Sequence, residues 1–378
     1  MKILFFIGTR PEAIKMICPI LELKKNKFDV KVCSTGQHSE LLEDVFDVFN
    51  FKPNYKYKIF DRNNNINTTF SKIVDVASKT IIKNKPKIVF VHGDTLNTFA
   101  CATAAFNLNI RVAHVEAGLR SYNRYFPWPE EVYRRVVTSL TDYHFAPTHT
   151  SRQNLLNENI DKNNIFVTGN TVIDALKYIL ALSKKSSVFK NSFNIFLKKI
   201  NFKKSEFNIL VTSHRREQIG KNIILLCKEI NKIASTKNVK IYFVLHHNTL
   251  IIKPVKKYLK NNKNIILLQP QKYDFFLNLL KLSDLIITDS GGIQEEITAL
   301  NKICLINRDV TERVEVMKSE NAFLVGSNSK NLYINFKKIF KMYNQKKIIK
   351  PIKKIYGNGN SSKKIVNIMK TILTKINH

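Results

Sequence analysis

The sequence is poor in acids: Asp and Glu together number 29 against 62 Lys and Arg, a formal net charge of +33 across 378 residues. After Glu320 there are thirteen lysines and no acidic residue. Such a surplus invites a nucleic-acid partner, yet the lysines alternate with Asn and Ile, as in "KKIVNIMKTILTKI", and no recognisable RNA- or DNA-binding module accompanies them. A general compositional bias accounts for the charge, and its field attracts anions such as a polyphosphate substrate. Cysteine is sparse and unpaired in pattern. Cys18, Cys33, Cys101, Cys227 and Cys304 are odd in number and lack any C-x-x-C spacing, which argues against a disulfide framework or a zinc site and fits a reducing cytoplasm. No stretch reaches the ~18 consecutive apolar residues that span a bilayer, and the opening run Ile3 to Ile7 is too short for a signal-peptide core. Neither export nor a membrane partner is expected. Also missing are the G-x-x-x-x-G-K-[ST] loop and the G-x-G-x-x-G fingerprint, which disfavours a P-loop phosphotransferase and a nicotinamide dehydrogenase.

Apolar residues make up 44% of the chain and aromatics 10%, enough for packed interiors rather than disorder. The length exceeds the roughly 100–200 residues of one ordinary domain, so two are expected. Short apolar runs bounded by turn residues alternate with longer amphipathic segments, the pattern of parallel strands joined by crossover helices. Strands are expected at "KILFFIG", "FDVKVCS", "KIVFVHG", "IRVAHVE", "YHFAP" and "IFVTG", then at "FNILVTS", "VKIYFVLH", "NIILLQP", "DLIITD" and "KICLIN". This gives an α/β protein of two doubly wound parallel-sheet, Rossmann-like domains, 1–180 and 181–355, followed by a C-terminal helix at 356–378 that packs back on the first. The polar, Lys- and Ser-rich stretch Lys184 to Lys204 is read as the connection between them. Tyr333, Phe336, Phe340 and Tyr343 fall at helical spacing and are read as a core-facing stripe rather than a base-stacking platform.

In open α/β sheets ligands bind beyond the carboxyl ends of the strands, so the strand-to-helix turns carry the chemistry. After the first strand comes Gly8-Thr9-Arg10-Pro11-Glu12, where Gly suits a tight turn, Pro a helix start, and Arg10 with Lys15 supplies charge for a diphosphate at a helix mouth. Asp94, after "VHG", is either an acid–base group or merely the cap of the next helix, a role Thr95 can also fill. Glu116, after His114, either does chemistry or neutralises Arg120 or Arg124. With Glu130 and Glu131 of "FPWPEEVYRR", these carboxylates fall at one edge of one sheet, where shared surroundings give acids different protonation states. In the second half, Ser213, His214 and Arg215 follow a strand, and His214 can bind phosphate or transfer a proton. Ser290, Gly291 and Gly292 between a buried strand and a helix form a backbone phosphate cradle, with Glu296 one turn on to meet ribose hydroxyls.

The blocks "GTRPEAIKM", "TGQH", "VHGDT", "HVEAGLRS", "PWPEE", "VTGNTVIDAL", "HRRE", "TDSGGIQEE" and "TER" together resemble the bacterial non-hydrolysing UDP-N-acetylglucosamine 2-epimerases. The resemblance spans nearly the whole chain. It implies a glycosyltransferase-B-like fold with domains facing a cleft, a homodimer, and a UDP-N-acetylhexosamine substrate, with no cofactor and no metal. By matching position it implies substrate binding by Arg10, Lys15, Asp94, Glu116, His214, Gln271, Phe276, Ser290, Gly291, Gly292, Glu296 and Arg313. Asp94, Glu116, Glu130 and His214 are implied as catalytic. The implied reaction eliminates UDP to an unsaturated 2-acetamidoglucal and re-adds it after the proton returns to the opposite face. The sequence departs from the family at Ser39, at "LHHNT", and at Val314, where relatives commonly have Arg, a Pro-x-His-x-Asn-Pro run and Pro. The first two lie near the segments of Gln37 and His246, where some members bind a second, activating substrate molecule. A "GTRPE" rather than "GSRAE" opening favours the non-hydrolysing class over a hydrolysing 2-epimerase. Beside these stand a 2-epimerase of a modified sugar nucleotide, a glycosyltransferase, which would lack the acidic cluster, and a basic RNA-binding protein.

Overall fold

A computed structural model of the protein describes residues 2–36, 39–59, 65–346 and 354–376. Gln37 and His38, and the side chain of Ser39, lie outside what is described. The chain divides into two compact units, Met1–Ile179 with Tyr356–His378, and Leu180–Ile355.

The first unit carries β1 (Lys2–Ile7), β2 (Asp29–Ser34), β3 (Tyr55–Lys56), β4 (Ile88–His92), β5 (Arg111–Val115), β6 (Tyr143–Ala146) and β7 (Ile165–Val167). Between and after them run α1 (Arg10–Lys25), α2 (Ser39–Val48), α3 (Ile66–Asn84), α4 (Leu96–Asn107), α5 (Glu130–Ser139), α6 (His149–Asn157) and α7 (Thr171–Lys185). The sheet order is β3-β2-β1-β4-β5-β6-β7, parallel throughout. Ile3 to Ile7 and every residue of β4 are buried, as strands covered by helices on both faces must be. Ile73, Ala77 and Ile81, four apart on α3, share a core with Ala100, Cys101, Ala104 and Ala105 of α4, whose small side chains let the two helices approach.

The second unit repeats the design with α8 (Ser187–Lys199), β8 (Phe207–Thr212), α9 (Lys221–Ala234), β9 (Val239–Val244), α10 (Thr249–Leu259), β10 (Ile265–Leu268) and α11 (Tyr273–Leu282). It continues with β11 (Leu285–Thr288), α12 (Gly291–Leu300), β12 (Ile303–Ile306), α13 (Val314–Met317), β13 (Ala322–Leu324) and α14 (Leu332–Asn344). Its sheet order is β10-β9-β8-β11-β12-β13, again parallel. The aromatic stripe of α14 turns toward the core: Phe336 is fully buried, Tyr333 and Phe340 are half-buried, and although Tyr343 is exposed its ring packs with those of Phe336 and Phe340 on Phe207 of β8. The last helix, α15 (Ser361–Ile376), belongs to the first unit. Asp174 of α7 accepts the backbone N–H groups of Ser361 and Ser362 at 3.1 and 2.8 Å, satisfying donors that a helix start leaves unpaired.

All eleven expected strands form. The two the sequence did not disclose, β3 and β13, are two and three residues long and lie at sheet edges, where one partner suffices and little apolar patterning is required. The stretch from Lys184 is not an open connection. Ser186 caps α8 by accepting from Phe189 N, and Phe189, Phe193 and Phe196 pack edge-on around Phe275 of α11 with centroids 5.3–5.4 Å apart. A lysine-rich exterior disguises an aromatic face.

In each sheet the connections turn opposite ways at one place, between β1 and β4 and between β8 and β11. Such reversals open a crevice at the carboxyl ends of the two strands. Truncating the aromatic stripe, Phe336→Ala, is expected to cost about 3–5 kcal/mol, read as a lowered urea midpoint; a midpoint within error of the parent would show that α14 is not part of the second unit's core.

Candidate active site

In the first unit the turn after β1 is tied to the turn after β4 by one buried carboxylate. Glu12 accepts hydrogen bonds from Gly8 N and Asn97 Nδ2, both at 2.8 Å, and from the hydroxyls of Thr9 and Thr95 at 3.0 and 2.6 Å. Burial pushes the Glu12 carboxyl above its ordinary value, and the donors from Thr95, Gly8 and Thr9 together with the His92 imidazole oppose that rise. The turn has no room for a side chain at position 8, where a Cβ would lie 2.5 Å from Asn97 Cγ. Thr9 caps α1 and places Arg10 as its first residue, half-buried.

Thr95, not Asp94, caps α4, accepting from Thr98 N. Asp94 is therefore released from the capping role, and its partner is Arg134 of α5. That guanidinium is buried and also lies 3.4 Å from Glu131. Glu131 accepts the backbone N–H groups of Ser121 and Tyr122 at 3.0 and 3.1 Å, so it secures the loop before α5. The adjacent glutamates thus part ways: Glu131 is buried and structural, while Glu130 opens α5 at intermediate burial.

Glu116 follows β5 with φ +67, a left-handed backbone that a residue with a Cβ adopts at a cost of about 1–3 kcal/mol and that recurs at functional sites. Its Oε2 is paired with Lys15 Nζ, accepts from Asn170 Nδ2 at 2.8 Å, and lies 3.8 Å from His92 Nε2. Asn170 is itself oriented by accepting from Val172 N at 3.0 Å. Glu116 does not neutralise Arg120, which pairs with Glu158. Lys15 is buried with its charge matched by Glu116, so it bears on the carboxylate directly. His114 is structural: Nε2 lies 2.7 Å from Gly93 O, binding β5 to the turn after β4, and burial pushes the ring down to about 3.

In the second unit Asp289, fully buried at the end of β11, spans the other reversal. Its Oδ2 accepts from His214 N at 2.8 Å, Arg215 N at 3.1 Å and Ser213 Oγ at 3.1 Å, while Oδ1 lies 3.0 Å from His214 Nδ1. Burial alone would raise this carboxyl, but the His214 imidazole and the backbone donors outweigh it and hold it well below the carboxylate range. Ser290 begins α12 without a side-chain cap bond. A Cβ on Gly291 would stand 2.8 Å from Arg313 Cζ, whereas the space above Gly292 is open to 4 Å. Arg313 is bound by Glu295 at 3.0 Å and by Glu312, and Glu312 also meets Arg308 at 2.8 Å and Arg215 at 3.4 Å. Glu296 is buried and accepts from Tyr273 Oη at 2.8 Å. Gln271, whose Nε2 donates to Gln269 O at 2.6 Å, and Phe276 lie at the start of α11. His246 stands with its ring 5.6 Å from that of His214.

The structure thus gathers Arg10, Lys15, Asp94, Glu116 and Glu130 about the carboxyl ends of β1, β4 and β5, and His214, Ser290, Gly291, Gly292, Glu296 and Arg313 about those of β8 and β11. Sequence reasoning missed Glu12, Arg134, Asn170, Asp289, Glu295 and Glu312, all of which act by holding other groups. Among the described residues no cluster of His, Cys, Asp and Glu has the makings of a metal site.

A family model described as UDP-N-acetylglucosamine 2-epimerase matches residues 21–370. The chain is 42% identical to the UDP-N-acetylglucosamine 2-epimerase of Neisseria meningitidis over 98% of its own length and 99% of the relative's. It is 40% identical to the Campylobacter jejuni protein of the same name over 97% of each. A crystal structure of the Neisseria meningitidis enzyme bound to UDP-GlcNAc superposes with a TM-score of 0.94 at 40% identity, covering 98% of this chain and 100% of that one.

The buried His114 ring has a pH signature. The unfolded ring takes up a proton near 6.5, the folded one only near 3, so its contribution to stability is whole above 6.5 and drains as pH falls through that window. Replacing His114 with Gln keeps a donor for Gly93 O and should flatten the fall of melting temperature between pH 6.5 and 4. Equal slopes for the two proteins would contradict a neutral, buried His114.

Proposed function

The chain belongs to the UDP-N-acetylglucosamine 2-epimerase family, and from that premise we propose that it interconverts UDP-N-acetylglucosamine and UDP-N-acetylmannosamine without hydrolysis. The observation that carries this reading is the pairing of two carboxylates with cations at adjacent strand ends, Glu116 with Lys15 and Asp94 with Arg134. A carboxylate held on a buried cation is fixed in place. Fixed carboxylates at adjacent strand ends suit the positioned removal and return of a proton beside an acetamido group.

Asp94, Glu116 and Glu130 act as acid and base on the sugar. As the proton leaves the carbon bearing the acetamido group, the electron pair forms the carbon–carbon double bond of a 2-acetamidoglucal, and the anomeric carbon–oxygen bond breaks with its electrons on UDP. Arg10, His214, Arg313 and the turn Ser290 to Gly292 take up the charge that develops on the diphosphate. Gln271 and Phe276 lie at the base, and Glu296, buttressed by Tyr273, at the ribose. Protonation of the opposite face and re-addition of UDP complete the inversion. The "GTRPE" opening supports return of UDP over capture of the intermediate by water. We place the enzyme in the cytoplasm as a homodimer supplying surface polysaccharide synthesis, with no nucleic-acid or membrane partner. Five buried thiols suit a reducing compartment, and no helix among the described residues is long and apolar enough to cross a membrane.

Proton NMR of the protein with UDP-N-acetylglucosamine in heavy water is expected to show UDP-N-acetylmannosamine carrying deuterium at the inverted carbon. Glu116→Gln should slow its appearance by about 10²–10⁴-fold. Free N-acetylmannosamine with stoichiometric UDP would overturn the non-hydrolysing reading in favour of hydrolysis.

A further inference from the structure

Asp289 stands at the centre of the second unit's strand reversal. Three donors converge on one oxygen, Oδ2: the N–H groups of His214 and Arg215 and the hydroxyl of Ser213. The other oxygen, Oδ1, is sealed from solvent and lies 3.0 Å from His214 Nδ1. A buried carboxylate oxygen needs a donor, and the ring nitrogen supplies one only when it carries a proton. The ring is 38% exposed at its other side, so it is gripped at Nδ1 and by its own backbone and is open elsewhere.

We propose that Asp289 is a positioning residue for the reaction: it keeps a proton on His214 Nδ1, so that Nε2 is the one nitrogen at which the ring gains and loses its proton. This rests on the epimerase reading for what Nε2 then meets, the diphosphate of the nucleotide sugar. As the anomeric carbon–oxygen bond breaks, Nε2–H donates to the departing diphosphate oxygen, and on re-addition the same nitrogen is there to take that proton back. Near the ring stand His246, from the connection between β9 and α10, and Arg215 beside it, whose charge is engaged by Glu312 at 3.4 Å. Asp289 is thus the carboxylate that sets the ring's protonation pattern.

Asp289→Asn inverts that pattern for a stated reason. The amide oxygen must stay where three donors converge, which turns the Nδ2 group onto His214 Nδ1 and makes that nitrogen an acceptor. The neutral ring is then protonated at Nε2, the wrong nitrogen to take a proton back. The test is the ring ¹⁵N spectrum of His214, assigned with His214→Gln, above the ring's titration, together with kcat and KM on UDP-N-acetylglucosamine. The expected result is Nδ1–H in the parent, Nε2–H in Asp289→Asn, and a fall in kcat of about 10²–10⁴-fold with KM little changed. Double replacement of Asp289 and His214 should be no slower than His214→Gln alone, whereas a merely structural aspartate would add its own loss. A parent ring protonated at Nε2 overturns the proposal without recourse to any variant, so a poorly folding variant does not shield it. An inverted ring with unchanged kcat overturns the positioning role and leaves the epimerase reading standing. Failure of the parent to turn over the sugar nucleotide sinks that reading, and the parent spectrum still decides whether Asp289 holds Nδ1.

Discussion

Where neighbouring parallel strands send their chains to opposite faces of a sheet, the turns that follow leave backbone N–H groups without strand or helix partners, and something must satisfy them out of reach of water. In both units that something is a single buried carboxylate. Glu12 gathers Gly8 N, the hydroxyls of Thr9 and Thr95 and the amide of Asn97 across the β1–β4 reversal. Asp289 gathers Ser213, His214 and Arg215 across the β8–β11 reversal. Apart from Gln271 and Phe276, which follow the edge strand β10, the residues assigned a chemical role follow a strand of one of these reversals or the strand beside it. Each unit's crevice follows from its own topology, and its carboxylate ties together the turns that orient the side chains there.

Rigidity at these ends governs electrostatics as much as shape. Lys15 and Arg134 are both buried and both spent on acids, Glu116 and Asp94. Breaking one partner of such a pair strands the other in a medium that solvates it poorly, at about 3–5 kcal/mol. These cations therefore help fix the acids in place. The second unit carries a different arrangement. Arg215, Arg308 and Arg313 all converge on Glu312, and Glu295 takes a further share of Arg313. With Glu217 on Arg308 at 3.0 Å, three acids meet these three guanidiniums, a network that fixes Arg313 beside Gly291 of the Ser290 to Gly292 turn.

How much of this could be read from the sequence follows from which residues announce themselves. Strands buried on both faces are nearly pure runs of Ile, Val, Leu and Phe, so eleven of them and the α/β class were visible. β3 and β13 were not, because an edge strand of two or three residues needs no such run. Nor was α8, since lysines on its outer face conceal the phenylalanines that pack on Phe275. At the site, residues at strand-to-helix turns stood out by position. Their supports did not. Glu12 and Asp289 each lie inside a recognisable motif, but a carboxylate that accepts backbone donors from a second turn is a long-range contact, and no local pattern records it. One signal was available: an acid directly following a short strand led by an apolar run, as Asp289 follows Leu285 to Thr288, is buried by position and must be matched with donors. The choice between Asp94 and Thr95 as cap, open on propensity alone, went to Thr95, which accepts from Thr98 N, while Asp94 meets Arg134, forty residues away.

If the held acids remove a proton while the held cations accept a departing diphosphate, the bond between sugar and UDP must break and re-form during turnover. The direct test is to place ¹⁸O in the oxygen bridging the anomeric carbon and the β-phosphorus, and to follow the recovered UDP-N-acetylglucosamine by ³¹P NMR. Elimination frees the β-phosphate to rotate before UDP is re-added, so the label should move from the bridge into the non-bridging positions as epimers interconvert. Interconversion of the epimers with the label still wholly in the bridge would contradict the account, because inversion would then proceed without release of UDP.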